Sequence, residues 1–306
     1  MKITLLGSVG NINQYVIPAL VAAGHTVTVV THSDNRTAAI KQLGAIPAVG
    51  SMTDETFLTD QFTGADVIYL MLSGGTNNDA LQAAKDQGKI FYNAAKAAGV
   101  KNIVNLSSIG ADSPYDEVGV LSYYHFIEAA LLQLDHVNIA VVRPVGFYAN
   151  LYSSISTIKQ QQQIVSTVPA KIKRAFASPK DIAATIIPLL ETTPKGHTMR
   201  YVVSDEATGS ELLAALQNAL NMPQLKYVTI SDDQFLTALL NQGMPKNVAE
   251  GFMIMTRAQR TPEKAYADLK AHQPKYGQVK LVDFAKEFAA VYRGESQGHS
   301  NTLADH

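Results

Sequence analysis

The sequence predicts a doubly wound α/β fold: a parallel sheet followed by a smaller helix-rich C-terminal lobe. Three observations carry that reading. From Lys2 to about Pro144, short β-branched runs alternate with helical stretches, the pattern of βαβ units. Each run is apolar throughout, as strands covered on both faces are. After Pro144 the rhythm changes to capped, amphipathic helices.

The strands are expected at 3–6, 26–31, 46–49, 67–71, 103–107 and 139–143, with helices over 13–23, 37–43, 78–98 and 122–134 between them. Gly24, Gly44 and Gly99 follow three of these helices where a helix terminator belongs. In the second half, Ser178-Pro179-Lys180-Asp181 reads as a helix start, with serine as cap, proline in the first turn and an acid three residues on. Thr208-Gly209-Ser210-Glu211 and Ser231-Asp232-Asp233-Gln234 repeat the logic. Short strands are expected near 200–203 and 226–230. The division is therefore 1–150 as the first unit, 151–293 as a smaller α+β lobe with some chain crossing back to the sheet, and 294–306 as a flexible tail.

Lys and Arg total 25 against 26 Asp and Glu, so no positive field exists to hold a polyanion, and nucleic-acid binding is not expected. Cysteine is absent, which excludes disulfides and thiolate chemistry and suits a cytoplasmic setting. No apolar run is long enough for a membrane span. The eight histidines are scattered without metal-ligand spacing, and no G-x-S-x-G elbow surrounds Ser107 and Ser108, so neither a metal centre nor a hydrolase is expected. Phe252-Met253-Ile254-Met255 reads as core rather than interface.

The motif with chemical content is Gly7-Ser8-Val9-Gly10-Asn11-Ile12-Asn13, between the first strand and the first helix. Gly7 permits the sharp turn, Gly10 leaves room for a pyrophosphate, and the backbone amides and helix dipole attract its charge. Residues 7–12 are thus expected to bind a nicotinamide dinucleotide in the Rossmann manner. The third glycine of the usual pattern is Asn13 here. At the end of the second strand, Thr31-His32-Ser33-Asp34-Asn35-Arg36 places no acid at Thr31 or His32, the position where a carboxylate would hold the ribose of NAD. Arg36 is in reach of a 2′-phosphate, with His32 and Ser33 as further donors, which favours NADP. The alternative is that Arg36 is a solvated residue of the next helix.

The chain resembles the NmrA-like branch of the atypical short-chain dehydrogenase/reductase superfamily. Besides the glycine turn, the resemblance rests on the stretch from Ala97 to Ser108, ending in paired serines, on Arg143-Pro144-Val145-Gly146-Phe147-Tyr148-Ala149-Asn150, and on Ser178-Pro179-Lys180-Asp181-Ile182-Ala183. It implies cofactor contacts at Leu72, Ser73, Ser107, Pro144 and Phe147, and a quinone or carbonyl reductase, an epimerase-like enzyme, or a redox sensor without turnover.

Catalytic members of that superfamily use Tyr-x-x-x-Lys. Here Tyr115 is followed at that spacing by Gly119, Tyr123 by Ile127 and Tyr124 by Glu128. Aligned on Glu128, Tyr124 stands where NmrA-like proteins often carry a lysine, and His125 beside it is a second candidate proton donor or acceptor contact, or else a half-buried helix histidine. A tyrosine with no neighbouring cation stays protonated, so it donates a proton well and serves poorly as a base. The expectation is an NADPH-dependent reductase of a small carbonyl or quinone-type acceptor. A non-catalytic NADP(H) sensor acting through a protein partner is the alternative, and the missing Tyr-Lys pair argues against an epimerase.

Overall fold

The computed structural model describes residues 1–72 and 79–295. Its first half runs β1 (Lys2–Leu5), α1 (Asn13–Ala22), β2 (Thr26–Thr31), a 3₁₀ turn (Asp34–Arg36), α2 (Thr37–Gln42), β3 (Ile46–Val49), α3 (Glu55–Phe62) and β4 (Val67–Met71). It continues through α4 (Ala80–Ala97), β5 (Asn102–Leu106), α5 (Tyr115–Val118), a 3₁₀ turn (Gly119–Ser122), α6 (Tyr123–Leu131) and β6 (Asn138–Pro144).

The second half begins with β7 (Gly146–Phe147), a 3₁₀ stretch (Tyr148–Ser154), α7 (Ile155–Gln161), β8 (Gln163–Ser166), β9 (Lys173–Ala177) and α8 (Pro179–Glu191). It ends with β10 (His197–Val202), β11 (Asp205–Thr208), α9 (Gly209–Leu220), β12 (Lys226–Thr229), α10 (Asp232–Asn241), α11 (Lys246–Ala258), α12 (Pro262–Ala265), α13 (Ala267–His272) and α14 (Leu281–Arg293).

The central sheet has seven parallel strands in the order β10-β6-β5-β4-β1-β2-β3. All connections cross over through helices, which cover both faces. Val16, Ile17 and Leu20 of α1 and Ile182 and Ile186 of α8 bury one face, while Leu58, Phe91, Ile127 and Leu131 of α3, α4 and α6 bury the other. The strand order reverses between β1 and β4, and in open α/β sheets such a switch point leaves a crevice at the carboxyl ends of the strands.

Two smaller sheets, β11-β9-β7 and β12-β8, sit with α9 and α14 around a separate apolar cluster in which Tyr148 stacks on Phe284 and Phe176. Among the described residues no helix is long and apolar enough to cross a membrane.

The six expected strands and the glycine terminators are present, with Gly24, Gly44 and Gly99 all at positive φ. Three expectations need correction. Helix α3 was not foreseen: it is short and starts on Asp54, whose carboxylate accepts from the Phe57 amide. The strand expected near 200–203 is β10, which runs from His197 and pairs with β6 as the seventh member of the main sheet. The caps at Ser178, Thr208 and Ser231 form, and the last two are full capping boxes. Asp181, however, does not turn back to its cap. It is buried and accepts from Ser204 Oγ at 2.5 Å and from the amides of Gln278 and Val279 at 2.9 and 3.1 Å, fastening the strap before α14. Of the expected tail, residues 296–306 lie outside the described residues.

Candidate cofactor and acceptor site

The turn after β1 is held open from inside. Gly7 has φ +93°, and a Cβ there would collide with Met71 Sδ at the end of β4. Ser8 also takes a positive φ of 50°, its amide donating to Val30 O at 3.0 Å and its hydroxyl to Thr31 Oγ1 at 3.1 Å. Asn13, 2% exposed, sends Nδ2 to the carbonyls of Leu6 and Ser8, both at 2.8 Å.

A Cβ on Gly10 would stand 3.2 Å from Gly7 O, so the backbone closes tightly there at a residue that has no side chain. Gln14 is the first residue of α1 whose amide bonds back into the turn, to Gly10 O at 3.1 Å. Among the described residues, the amides of Val9, Gly10, Ile12 and Asn13 have no acceptor. They form the positive end of a ten-residue helix, so this cradle fits a diphosphate.

At the end of β2, Thr31 is buried, His32 and Arg36 are exposed, and Ser33 caps the following 3₁₀ turn by accepting from Asn35 N. Arg36 is the last residue of that turn and makes no side-chain bond to any described residue. Leu72 follows β4 and packs among apolar side chains, whereas Ser73 lies outside the described residues. Pro144 is buried at the end of β6, its carbonyl taking the Ile109 amide at 3.0 Å, and Phe147 of β7 pairs with Ala177 of β9.

Ser107 is 3% exposed and gives its hydroxyl to Glu128 of α6. Glu128 in turn receives Arg143 Nε at 3.0 Å and Nη2 at 2.7 Å. Arg143 Nη1 donates to the Tyr201 hydroxyl at 3.1 Å and meets Asp112 Oδ2 at 3.1 Å and Asp268 Oδ2 at 3.7 Å. In sequence, Glu128 and Arg143 stand out only as members of aligned motifs. An arginine inside an apolar strand and a glutamate on the apolar face of a helix were the available signals, because such charges are buried only when paired.

Tyr124 and His125 both lie in the first turn of α6, and the structure separates them. Tyr124 is half-buried, and desolvation raises its phenol above the ordinary value. His125 is exposed, with its ring edge-on to Phe126 at 5.6 Å, so it is not the half-buried histidine considered from sequence.

Beside them Tyr123 stacks on Tyr115 at 6.0 Å, and burial together with Tyr115 pushes its phenol up to about 12. These rings join Leu72, Phe126, Val248 and Phe252 in an apolar wall covered by α11. The cover sits close: Gly119 has φ +58°, and a Cβ on it would run into Gly251 O of α11. Met253, Ile254 and Met255 are half-buried on the same helix.

Fold and turn together define a doubly wound, Rossmann-type α/β protein with a glycine turn at its switch point. The model of the NmrA-like family matches residues 1–282, and the chain belongs to that family.

It is 28% identical over 266 residues to a (4-alkanoyl-5-oxo-2,5-dihydrofuran-3-yl)methyl phosphate reductase of Streptomyces griseus, covering 86% of this chain and 89% of that protein. Among solved structures it resembles NADPH-dependent quinone oxidoreductase of Escherichia coli complexed with NADPH, at TM-score 0.73 and 19% identity over 93% of this chain and 99% of that one. A second is the Citrobacter sp. triphenylmethane reductase complexed with NADP(H), at TM-score 0.74 and 17% identity over 94% of this chain and 100% of that one. At these identities the structural likeness speaks for the fold.

Proposed function

We propose that this chain is an NADPH-dependent reductase of a small carbonyl or quinone-type acceptor. The observation that carries the reading is the turn at Gly7–Asn13, where Gly10 has no side chain and, among the described residues, the amides of Val9, Gly10, Ile12 and Asn13 have no acceptor. Residues 1–150 are its cofactor-binding unit, and 151–293 shape the acceptor end. The reductase names of relatives along most of the chain support the same class.

When bound, the reduced nicotinamide supplies a hydride. The residues of the chain bind and orient. The amides of Val9, Gly10 and Ile12 would hold the diphosphate, and Arg36, exposed and without a side-chain bond to any described residue, would hold a 2′-phosphate with His32 and Ser33. A carbonyl acceptor that gains hydride at carbon needs a proton at oxygen, and Tyr124 is the donor assigned here. Burial keeps its phenol protonated, which suits reduction and disfavours the reverse reaction. The stacked Tyr115 and Tyr123 pack under α11 and brace the first turn of α6 that carries Tyr124.

The test is calorimetric titration with NAD, NADH, NADP and NADPH, followed by NADPH consumption over a panel of quinones and carbonyl compounds. Tight NADPH binding with turnover of at least one acceptor is expected. Silence towards all four nucleotides overturns the reading. Binding without turnover, with unequal affinity for NADP and NADPH, supports the sensor instead.

A further inference from the structure

Arg143 is 6% exposed, yet it is where five separate segments meet. Its fork closes bidentately on Glu128 of α6, and Ser107 at the end of β5 bonds to the same carboxylate. On the other side Nη1 reaches Tyr201 of β10, Asp112 of the loop after β5 and Asp268 of α13. Tyr201 donates to Asp268 as well, and His272 of α13 stands 3.4 Å from the same aspartate.

One guanidinium therefore faces three carboxylates, two of them half-exposed. Stability alone does not explain such an arrangement. A buried ion pair can often be replaced by apolar residues of similar volume without loss of stability, whereas removing one partner strands a charge.

What the pair does supply is geometry, since two parallel charge-assisted bonds fix both distance and direction. Glu128 follows Tyr124 by one helical turn, so the two residues share a face of α6. We propose that Arg143 is a positioning residue: through Glu128 it sets the register of α6, and so the place of the Tyr124 phenol, and through Asp268 it makes that place depend on α13. This rests on the reductase reading for its kinetic consequence alone.

The experiment uses the full chain with 3-fluorotyrosine at position 124 and compares wild type, Arg143→Met/Glu128→Leu and Asp268→Asn. The double variant exchanges the ion pair for apolar bulk and is expected to melt within a few degrees of wild type and to bind NADPH equally well. Its fluorine resonance is expected to shift and broaden, and kcat to fall by about tenfold or more, the scale of a misplaced reacting group. Asp268→Asn, at a half-exposed site that does not threaten folding, is expected to move the same resonance by a smaller amount.

A double variant with wild-type melting, resonance and kcat overturns the proposal. So does an Asp268→Asn resonance identical to wild type, for the link to α13. If the wild-type protein reduces no acceptor, the reductase reading fails on that result, and the fluorine spectra still decide this one.

Discussion

The side-chain amide of Asn13 donates to the carbonyl of Ser8 at 2.8 Å, and with its other hydrogen to Leu6 at the same distance. A side chain thus stands where a third glycine usually lets helix and strand approach, and it staples the turn instead of vacating it. Asn13→Ala removes both bonds and leaves two carbonyls without this donor. A loss of about 1–3 kcal/mol in urea unfolding is expected, together with weaker NADPH binding in calorimetry. Unchanged stability would mean that the turn holds itself.

Cofactor choice should turn on Arg36. With Arg36→Ala, NADPH affinity is expected to drop by about ten- to a hundredfold, the worth of a charge-assisted bond, while NADH affinity stays put. If both nucleotides keep their affinities, Arg36 belongs to the solvent.

Tyr124→Phe removes the assigned proton donor while keeping the ring. Its kcat should fall by about a hundredfold or more, with the NADPH dissociation constant unaltered. Burial raises the phenol, so the donor form persists as pH increases, and wild-type kcat is expected to stay level up to about pH 9. A rate that already declines from pH 7 to 8 would point to another donor.

The staple between α10 and α11 gives a prediction at acid pH. Desolvation raises the Asp232 carboxyl, but the guanidiniums of Arg260 and Arg257 outweigh it and hold the group below its ordinary value. A carboxyl depressed on folding stabilises the protein above its unfolded pKa, and that contribution disappears as pH falls through the folded one. Asp232→Asn should therefore melt below wild type at pH 7. The gap should close below about pH 4. Parallel melting curves down to pH 2 would remove the pair from the account.

The parts of the molecule written in local pattern were legible in the sequence. Gly7 and Gly10, the strands beside them and the caps at Thr208 and Ser231 depend on neighbours a few residues away. The fit of β10 beside β6 depends on residues 58 apart, as the bond from Gly196 N to Asn138 illustrates, so a strand there and a crossing back to the sheet were both legible, but not that this strand makes the crossing. Asp181 looked like part of a cap because its bonding partners, Gln278 and Val279, are 97 and 98 residues away. Ser107 is an expected cofactor contact, and its hydroxyl also donates to Glu128 in a network that joins segments far apart in the chain. No periodicity announces a convergence of that kind.

The contact of Gly119 with Gly251 sets how near α11 can lie to the turn that feeds α6. Two backbones already touch there, so no exchange at either position can draw the elements nearer, and every larger residue drives them apart. The spacing is a floor, reached by dispensing with side chains altogether, and mutational drift at these two sites can only loosen the covering helix.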